Sequence, residues 1–366
     1  TDYSSANDLL CKLTSNLRTT RPETQGVAID WTAWADIGMA TRGSIPKMME
    51  QAGIDMVPPE IGIPIVAREI SSGLGEEIVV AGALGGLLEE FDSTGGLDTA
   101  ALEPNLSGPM GARVIGFGLY GGLSVEADLD PMAQPFLFDH QIDGTAVLPG
   151  VMGIEAFSEV AQAALPDWSV IGVENVEFLA PFKFYRDEPR VVRIEAVLRG
   201  DDDQRWADCR LIGRRSLLGG ERHEETVHFR GSVRLARGPR ESEQASDTRQ
   251  PGDTILGADL IYSVYFHGPA YQVVEGAWRC GDQLVARMPE KLPIHHTPAK
   301  TRTIVSPRLV ELCFQAAGLL DLGESDRVGL PNRLATLNLY QPVGEAAGIQ
   351  VVVERQDDGT HQATVI

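Results

Sequence analysis

The residues best suited to chemistry lie in the run Asp139-His140-Gln141-Ile142-Asp143-Gly144-Thr145-Ala146-Val147-Leu148-Pro149-Gly150. Histidine is the side chain that most readily takes up and gives back a proton near neutral pH. His140 is followed four residues on by Gly144 and nine on by Pro149, and a strongly apolar segment starts at once. Proline suits a helix start, where its missing N–H breaks no bond. The first N–H groups of such a helix have no partner inside it and lie at the positive end of its dipole. They could receive a thioester carbonyl as it gains enolate character. A histidine held nearby by a turn would then take the adjacent α-proton, which is general-base catalysis beside a preformed oxyanion site.

Other chemically suggestive stretches carry less. In His223-Glu224-Glu225-Thr226-Val227-His228 the second histidine comes one residue too late for a zinc-protease helix, and the stretch alternates like a strand. His295-His296 stands between prolines and reads as a solvated loop. Ser216 lacks the glycine-flanked elbow of a hydrolase nucleophile. The run Gly82-Ala83-Leu84-Gly85-Gly86 reads as a turn. Cys11, Cys209, Cys280 and Cys313 are far apart with no C-x-x-C pair, so neither a zinc site nor a disulfide framework is expected, and no metal is assigned.

The elements that must position His140 follow from periodicity. Val151 to Leu165 is apolar except for one narrow stripe, Glu155, Ser158, Glu159 and Gln162, at helical spacing. Such a helix is buried on most of its circumference. Around it, Val227, Phe229, Gly231, Val233 and Leu235 alternate with His228, Arg230, Ser232 and Arg234, and Val192, Ile194 and Ala196 alternate with Arg193 and Glu195. Period two with one apolar face marks an antiparallel sheet covered on one side. A sheet wrapping a central helix satisfies both patterns. After a polar stretch from Arg237 to Thr254 the scheme repeats: a Gly-Pro strand region at Tyr262 to Val274, a helix from Pro307 to Leu320, and a hairpin of Ile349 to Glu354 with His361 to Val365 around Asp357-Asp358-Gly359. Upstream, a helix at Tyr3 to Leu17, strands at Val27 to Trp31 and Ile78 to Ala81, and helices between them suggest the α/β class.

Bulk properties fit. The 366 residues suit two or three domains, and 43% hydrophobic with 23% charged residues is ordinary for a soluble protein. No apolar run is long enough to span a bilayer, and the N-terminus does not read as a secretory signal. A cytoplasmic location is expected. The chain lacks a start methionine and stops inside an apolar stretch at Ile366, so it reads as a piece of something longer. The formal net charge of −21 argues against nucleic acid and anionic membrane as partners.

The pattern His-x-x-x-Gly-x-x-x-x-Pro, filled by His140, Gly144 and Pro149, resembles the signature of the dehydratase domains of type I polyketide synthases. The resemblance covers about residues 117–366 and implies an α+β double hotdog: two antiparallel sheets, each wrapping a central helix. On this reading 1–92 is an N-terminal α/β fragment, 93–113 a linker, 114–245 the first hotdog and 255–366 the second. The family's second helix carries Asp-x-x-x-Gln or Asp-x-x-x-His, where this chain has Glu311-Leu312-Cys313-Phe314-Gln315. The glutamate resembles the variant of iterative synthases of the enediyne and polyunsaturated fatty acid kind. The family's aromatic-Gly-Pro motif is met by Tyr265-Phe266-His267-Gly268-Pro269, with His267 where tyrosine is commoner.

The resemblance implies dehydration of a β-hydroxyacyl chain on an acyl carrier protein. His140 is then the base, and protonated Glu311 the donor to the leaving hydroxyl. Gln315 supports Glu311, while Gly144, Pro149, Gly150, Tyr265 and His267 shape the site. For Glu311 to stay neutral, burial in an apolar tunnel should raise its pKa. No cofactor is implied for the dehydratase beyond the substrate's phosphopantetheine arm. Partners would be an acyl carrier protein, other domains of the same synthase and a second copy in a homodimer. An acidic carrier would need a basic patch, for which Lys183, Arg186, Arg190 and Arg193 are candidates. A hotdog thioesterase and an inactive structural domain are the competing readings. Finally, Tyr3-Ser4-Ser5-Ala6-Asn7 resembles the Tyr-x-x-x-Asn of polyketide ketoreductases of the short-chain dehydrogenase group. Tyr3 and Asn7 would be two of its catalytic residues. The Gly-rich phosphate loop is missing from this piece, so NADPH is implied only for the complete ketoreductase domain.

Overall fold

A computed structural model describes residues 2–21, 23–72, 77–84, 99–102, 105–118, 122–200, 204–216, 223–238, 248–251, 255–322, 329–340 and 348–366. Residues 93–98 and 103–104 of the 93–113 segment, parts of the 237–254 connection, and Gly85 and Gly86 lie outside these residues.

The N-terminal unit comprises α1 (Asp2–Thr20), β1 (Ala28–Trp31), α2 (Ile45–Gln51), α3 (Pro59–Ser72) and β2 (Glu77–Val80). β1 and β2 pair in parallel from Ala28↔Glu77 to Trp31↔Val80, and Val57, Ile65 and Val80 form a small core. Tyr3 and Asn7 both lie on the exposed surface of α1, where Asn7 Nδ2 donates to the Tyr3 carbonyl at 3.0 Å. Cys11 is less isolated than its spacing suggested. With Asp30 and Glu77 it makes the one group of three potential metal ligands found among the described residues, its thiol 3.5 Å from Asp30.

The second region opens with α4 (Thr99–Leu102), β3 (Ala112–Gly118), β4 (Gly122–Leu129), α5 (Pro135–Phe138), β5 (Gln141–Ile142), β6 (Thr145–Val147) and α6 (Gly150–Ala164). There follow β7 (Ser169–Phe178), β8 (Lys183–Phe184), β9 (Arg190–Gly200), β10 (Gln204–Ser216) and β11 (His223–Ala236). Its second half holds β12 (Leu256–Gly257), α7 (Ala258–Ile261), β13 (Gly276–Cys280), β14 (Gln283–Arg287), α8 (Pro307–Leu322), β15 (Arg333–Asn338), β16 (Gln350–Arg355) and β17 (His361–Val365). Leu106 and Met110, upstream of β3, already belong to the large core.

A seven-stranded sheet, ordered β15-β7-β11-β10-β9-β4-β3, wraps α6, and a five-stranded sheet, ordered β12-β13-β14-β16-β17, packs on α8. Every pairing within these two sheets is antiparallel. The edge strand β15 comes from the second half of the chain, yet it pairs with β7 of the first. The alternation read from β11 holds from Phe229 onward: Phe229, Val233 and Leu235 are buried, while Arg230 and Arg234 face outward to Glu177 and Glu174 at 2.8 and 3.0 Å. His228, expected on the outward face, is instead buried with Nδ1 3.1 Å from the Ala180 carbonyl, next to a register shift in the pairing with β10.

α6 lies close to its sheet because two of its positions lack a side chain. A Cβ on Gly150 would come within 2.7 Å of the Phe178 ring, and one on Gly153 would run into the Phe229 ring. Rings cannot yield as a lysine tip would. Gly153→Ala is therefore expected to cost about 1–3 kcal/mol through overpacking, read as a lowered urea midpoint with an unchanged slope.

Two expectations are corrected. Tyr262 to Val274 is no strand: it follows α7 as a loop with a single 3-10 turn at Pro269–Tyr271. Pro269 has no N–H to give a ladder, and the N–H groups of Gly268 and Ala270 are taken by Asp139. The supposed basic patch is also largely committed. Arg193 pairs with Glu195 and Glu225 at 3.1 and 2.7 Å, and Arg186 lies 4.0 Å from Glu188. Arg190 donates to the Lys183 carbonyl and stands 4.1 Å over the Phe182 ring.

Candidate active site

The spacing from His140 to Gly144 is that of a tight hairpin. Ile142 pairs with Thr145, and the two residues between them, Asp143 and Gly144, have φ of 52° and 72°. Two positive φ values in a two-residue loop match the twist of the flanking strands, which is why an Asp-Gly pair suits them. The hairpin returns the Val147 carbonyl to the His140 ring, 2.8 Å from Nδ1. A carbonyl only accepts, so Nδ1 carries the hydrogen and Nε2 keeps its lone pair. Pro149 then caps α6, accepting from the Met152 and Gly153 N–H groups. The N–H groups of Gly150 and Val151 belong to the first turn, which a helix cannot satisfy from within.

The second half of the chain brings a histidine and an acid to the same place. His140 and His267 form an antiparallel backbone bridge with ring centroids 5.5 Å apart. His267 Nε2 lies 3.1 Å from Glu311 Oε1. His140, His267 and Glu311 are only 9%, 7% and 6% exposed. Gln315, one turn beyond Glu311 on α8, donates from Nε2 to Glu311 Oε1 at 3.0 Å and to the Tyr271 carbonyl at 2.9 Å. Its own oxygen accepts from the Tyr262 hydroxyl at 2.9 Å, and its backbone carbonyl accepts from the Tyr265 hydroxyl at 2.8 Å. Thus His140, Glu311, Gln315, Tyr265 and His267 converge. Gly144, Pro149 and Gly150 build the turn and the helix start beside them. Tyr3 and Asn7 lie on the exposed α1.

Residues 112–209 match the family model of the polyketide synthase dehydratase domain, and residues 237–366 match that of the polyketide synthase dehydratase N-terminal domain. Over residues 112–209 and 237–366 the chain belongs to the polyketide synthase dehydratase domain family. Its double hotdog superposes on the dehydratase domain from the CurF module of the curacin polyketide synthase with a TM-score of 0.58 at 15% identity, covering 71% of this chain and 93% of that one. Polyketide synthase GfsB of Streptomyces halstedii is 27% identical over 252 residues, 63% of this chain and 4% of GfsB. A polyunsaturated fatty acid synthase polypeptide of a Thraustochytrium species is 22% identical over 369 residues, 98% of this chain and 12% of that polypeptide. The chain thus spans a small fraction of the length of the curated relatives it matches.

Electrostatics in this dehydratase domain depart from expectation at one residue. Burial pushes the His140 imidazole down to about 4, against the pull of Glu311, so it stands as a neutral base. Burial also pushes the Glu311 carboxyl up, and is the largest single influence on it. The expected upward shift nevertheless fails. The hydrogen bond and charge of His267 and the Gln315 amide together hold the carboxyl below its ordinary value. Sequence reasoning weighed burial without the partners.

Several residues of the dehydratase domain were overlooked. Asp139 joins the two halves: its carbonyl accepts from Gly268 N–H at 2.7 Å and its carboxylate from Ala270 N–H at 2.8 Å. An acid directly before the histidine was the available signal. His295 and His296 are buried, not solvated, at 6% exposure each. They bond to one another at 3.0 Å, and His296 Nε2 reaches the Thr301 carbonyl. Burial beside Arg308 holds His295 down at about 3. Among the described residues no helix is long and apolar enough to cross a membrane.

Proposed function

We propose that this domain removes water from a β-hydroxyacyl thioester presented on the phosphopantetheine arm of an acyl carrier protein, leaving the α,β-enoyl thioester. The observation that carries the mechanism is the pairing of a neutral imidazole, His140, whose Nε2 is left unprotonated, with a buried His267–Glu311 pair on the other half of the fold. His140 Nε2 takes the α-proton. The thioester oxygen gains charge toward the N–H groups that open α6. The His267–Glu311 pair supplies the proton to the departing hydroxyl, with Gln315 fixing the carboxyl. Two proton transfers and cleavage of the β-carbon to oxygen bond complete the step with no net oxidation or reduction, so no redox cofactor is needed.

Incubating the chain with a β-hydroxyacyl pantetheine thioester and weighing the products tests this. Loss of water with the thioester intact is expected; free acid would point to a thioesterase, and unchanged substrate to a structural domain. Because His140 is held near 4 by burial, the acid limb of kcat/KM should fall near pH 4 rather than near the ordinary histidine value of about 6.5. A limb at the ordinary value would remove His140 from the role of base.

The larger setting is part of the same proposal. The glutamate at Glu311 and the likeness of nearly the whole chain to a polyunsaturated fatty acid synthase polypeptide support an iterative synthase. The acyl carrier protein and neighbouring synthase domains would be partners, and a homodimer the assembly, which sedimentation would reveal. The Tyr3–Asn7 spacing and the parallel β1–β2 pair support reading the N-terminal unit as the end of a ketoreductase domain, with NADPH bound only by the complete domain.

A further inference from the structure

We infer that the proton given to the leaving hydroxyl is carried by His267 on Nδ1, and that Glu311 is the carboxylate that orients it. This deepens the dehydration reading and rests on it.

The hydrogen-bond chain fixes the direction of every donor. Tyr262 oxygen accepts from Val274 N–H at 2.8 Å, so its hydrogen goes to Gln315 Oε1. Gln315 Nε2 faces the Tyr271 carbonyl, which only accepts, so the amide cannot be reversed. Its second hydrogen therefore goes to Glu311 Oε1. That oxygen is already an acceptor where His267 Nε2 approaches it at 3.1 Å, and the hydrogen between them belongs on the imidazole. Nδ1 is then the ring atom that gains or loses the exchangeable proton. It is buried and has no hydrogen-bond partner in the protein. An unsatisfied buried nitrogen beside the paired Glu311 marks a place for a ligand atom.

The groups facing His267 come from several elements. Glu311 contacts His267 directly, and Phe266 stacks on it with centroids 4.3 Å apart. Tyr265, 5.6 Å away between centroids, is pushed up by burial and remains a phenol. His140, 5.5 Å away, is neutral. Arg308, one turn before Glu311 on α8, donates to the Pro293 carbonyl. In the step, His140 Nε2 takes the α-proton and the C–H electron pair becomes the new double bond. The β-carbon to oxygen bond breaks with its pair on oxygen, and the His267 Nδ1 proton completes a water molecule. His140 is left protonated and His267 neutral; a proton passing back through the departing water restores both.

The test compares variants of the whole chain on a β-hydroxyacyl pantetheine thioester across pH. His267→Phe should lose about 100-fold or more in kcat at every pH. Glu311→Gln should retain measurable turnover, with the alkaline limb moved to lower pH because the imidazolium has lost its counter-charge. The proposal is overturned by a Glu311→Gln protein that is inactive at every pH, by an unmoved alkaline limb, or by an active His267→Phe protein. Nitrogen NMR of histidine-labelled wild type needs no variant to fold: above the ring's titration, His267 should carry its hydrogen on Nε2, and an Nδ1–H tautomer overturns the assignment. Wild type that forms no enoyl thioester would instead sink the dehydration reading itself, leaving the tautomer result to stand alone.

Discussion

His140→Ala should lower kcat/KM for dehydration by about 100- to 10,000-fold, the range ascribed to a positioned general base. Nδ1 of the ring is committed to Val147, which holds the ring and leaves Nε2 unprotonated. The variant also leaves the buried Val147 carbonyl without that donor, at a cost of about 1–3 kcal/mol, so rates must be expressed per folded protein. The pH dependence of stability should change too. The folded-state value for His140, about 4, lies below the ordinary one, so its contribution is present above about pH 6.5 and is lost as pH falls toward 4. The alanine variant should therefore lose less stability than wild type over that interval. An undiminished dehydration rate would show that the base lies elsewhere.

The largest effect on stability is expected at Glu155, which sequence reading placed in the narrow polar stripe of the central helix without assigning it a partner. Its side chain is fully buried on α6. Its carboxylate accepts from the N–H groups of Ile304 and Val305 at 2.6 and 2.9 Å, just before α8 begins. The residue thus braces one hotdog's helix against the approach to the other's, and so sets where Glu311 stands. Glu155→Ala strands two buried N–H groups, each costing about 1–3 kcal/mol, and should lower the unfolding free energy by about 2–6 kcal/mol in all. Glu155→Gln turns one acceptor into a donor facing an N–H and should lose about half as much. Burial pushes this carboxyl up to about 7, against the two backbone bonds, and Glu159 one turn on is pushed up as well. A raised folded-state value means stability that is fully present below about pH 4.5 and lost as pH rises through about 7. Urea melts of wild type and Glu155→Gln at pH 6 and pH 8.5 would show it: wild type should weaken on the alkaline side more than the variant. Equal slopes and equal midpoints would mean the brace carries no weight.

The parts of the molecule legible in sequence are those set by local periodicity and spacing. The Asp-Gly turn, the proline at the helix start and the apolar α6 are neighbours along the chain, so one short run specified how His140 is held. The alternation in β9 and β11 likewise reported a one-sided sheet. What sequence could not show depends on partners far away. His267 meets Glu311 across 44 residues, and nothing in the Tyr265–Pro269 motif says that the Gly268 N–H bonds to Asp139 instead of a ladder. His295-His296 looked solvated because two polar residues between prolines usually are, yet they close on each other and on a carbonyl. The sign of the Glu311 shift was missed for the same reason: burial is visible in a run of apolar neighbours, whereas the donors that outweigh it are not.

The strand Arg333–Asn338 has one last consequence. It lies beyond the second central helix, yet completes the rim of the sheet around the first, against Ser169–Phe178. Splitting the chain between its two repeats would bare a row of backbone donors and acceptors on the upstream piece, the kind of edge along which proteins stick together. The downstream piece would keep a ribbon with no neighbour. The duplicated halves are therefore indivisible, and swapping a single repeat between synthases, as a modular cassette, would fail where exchanging both together would succeed.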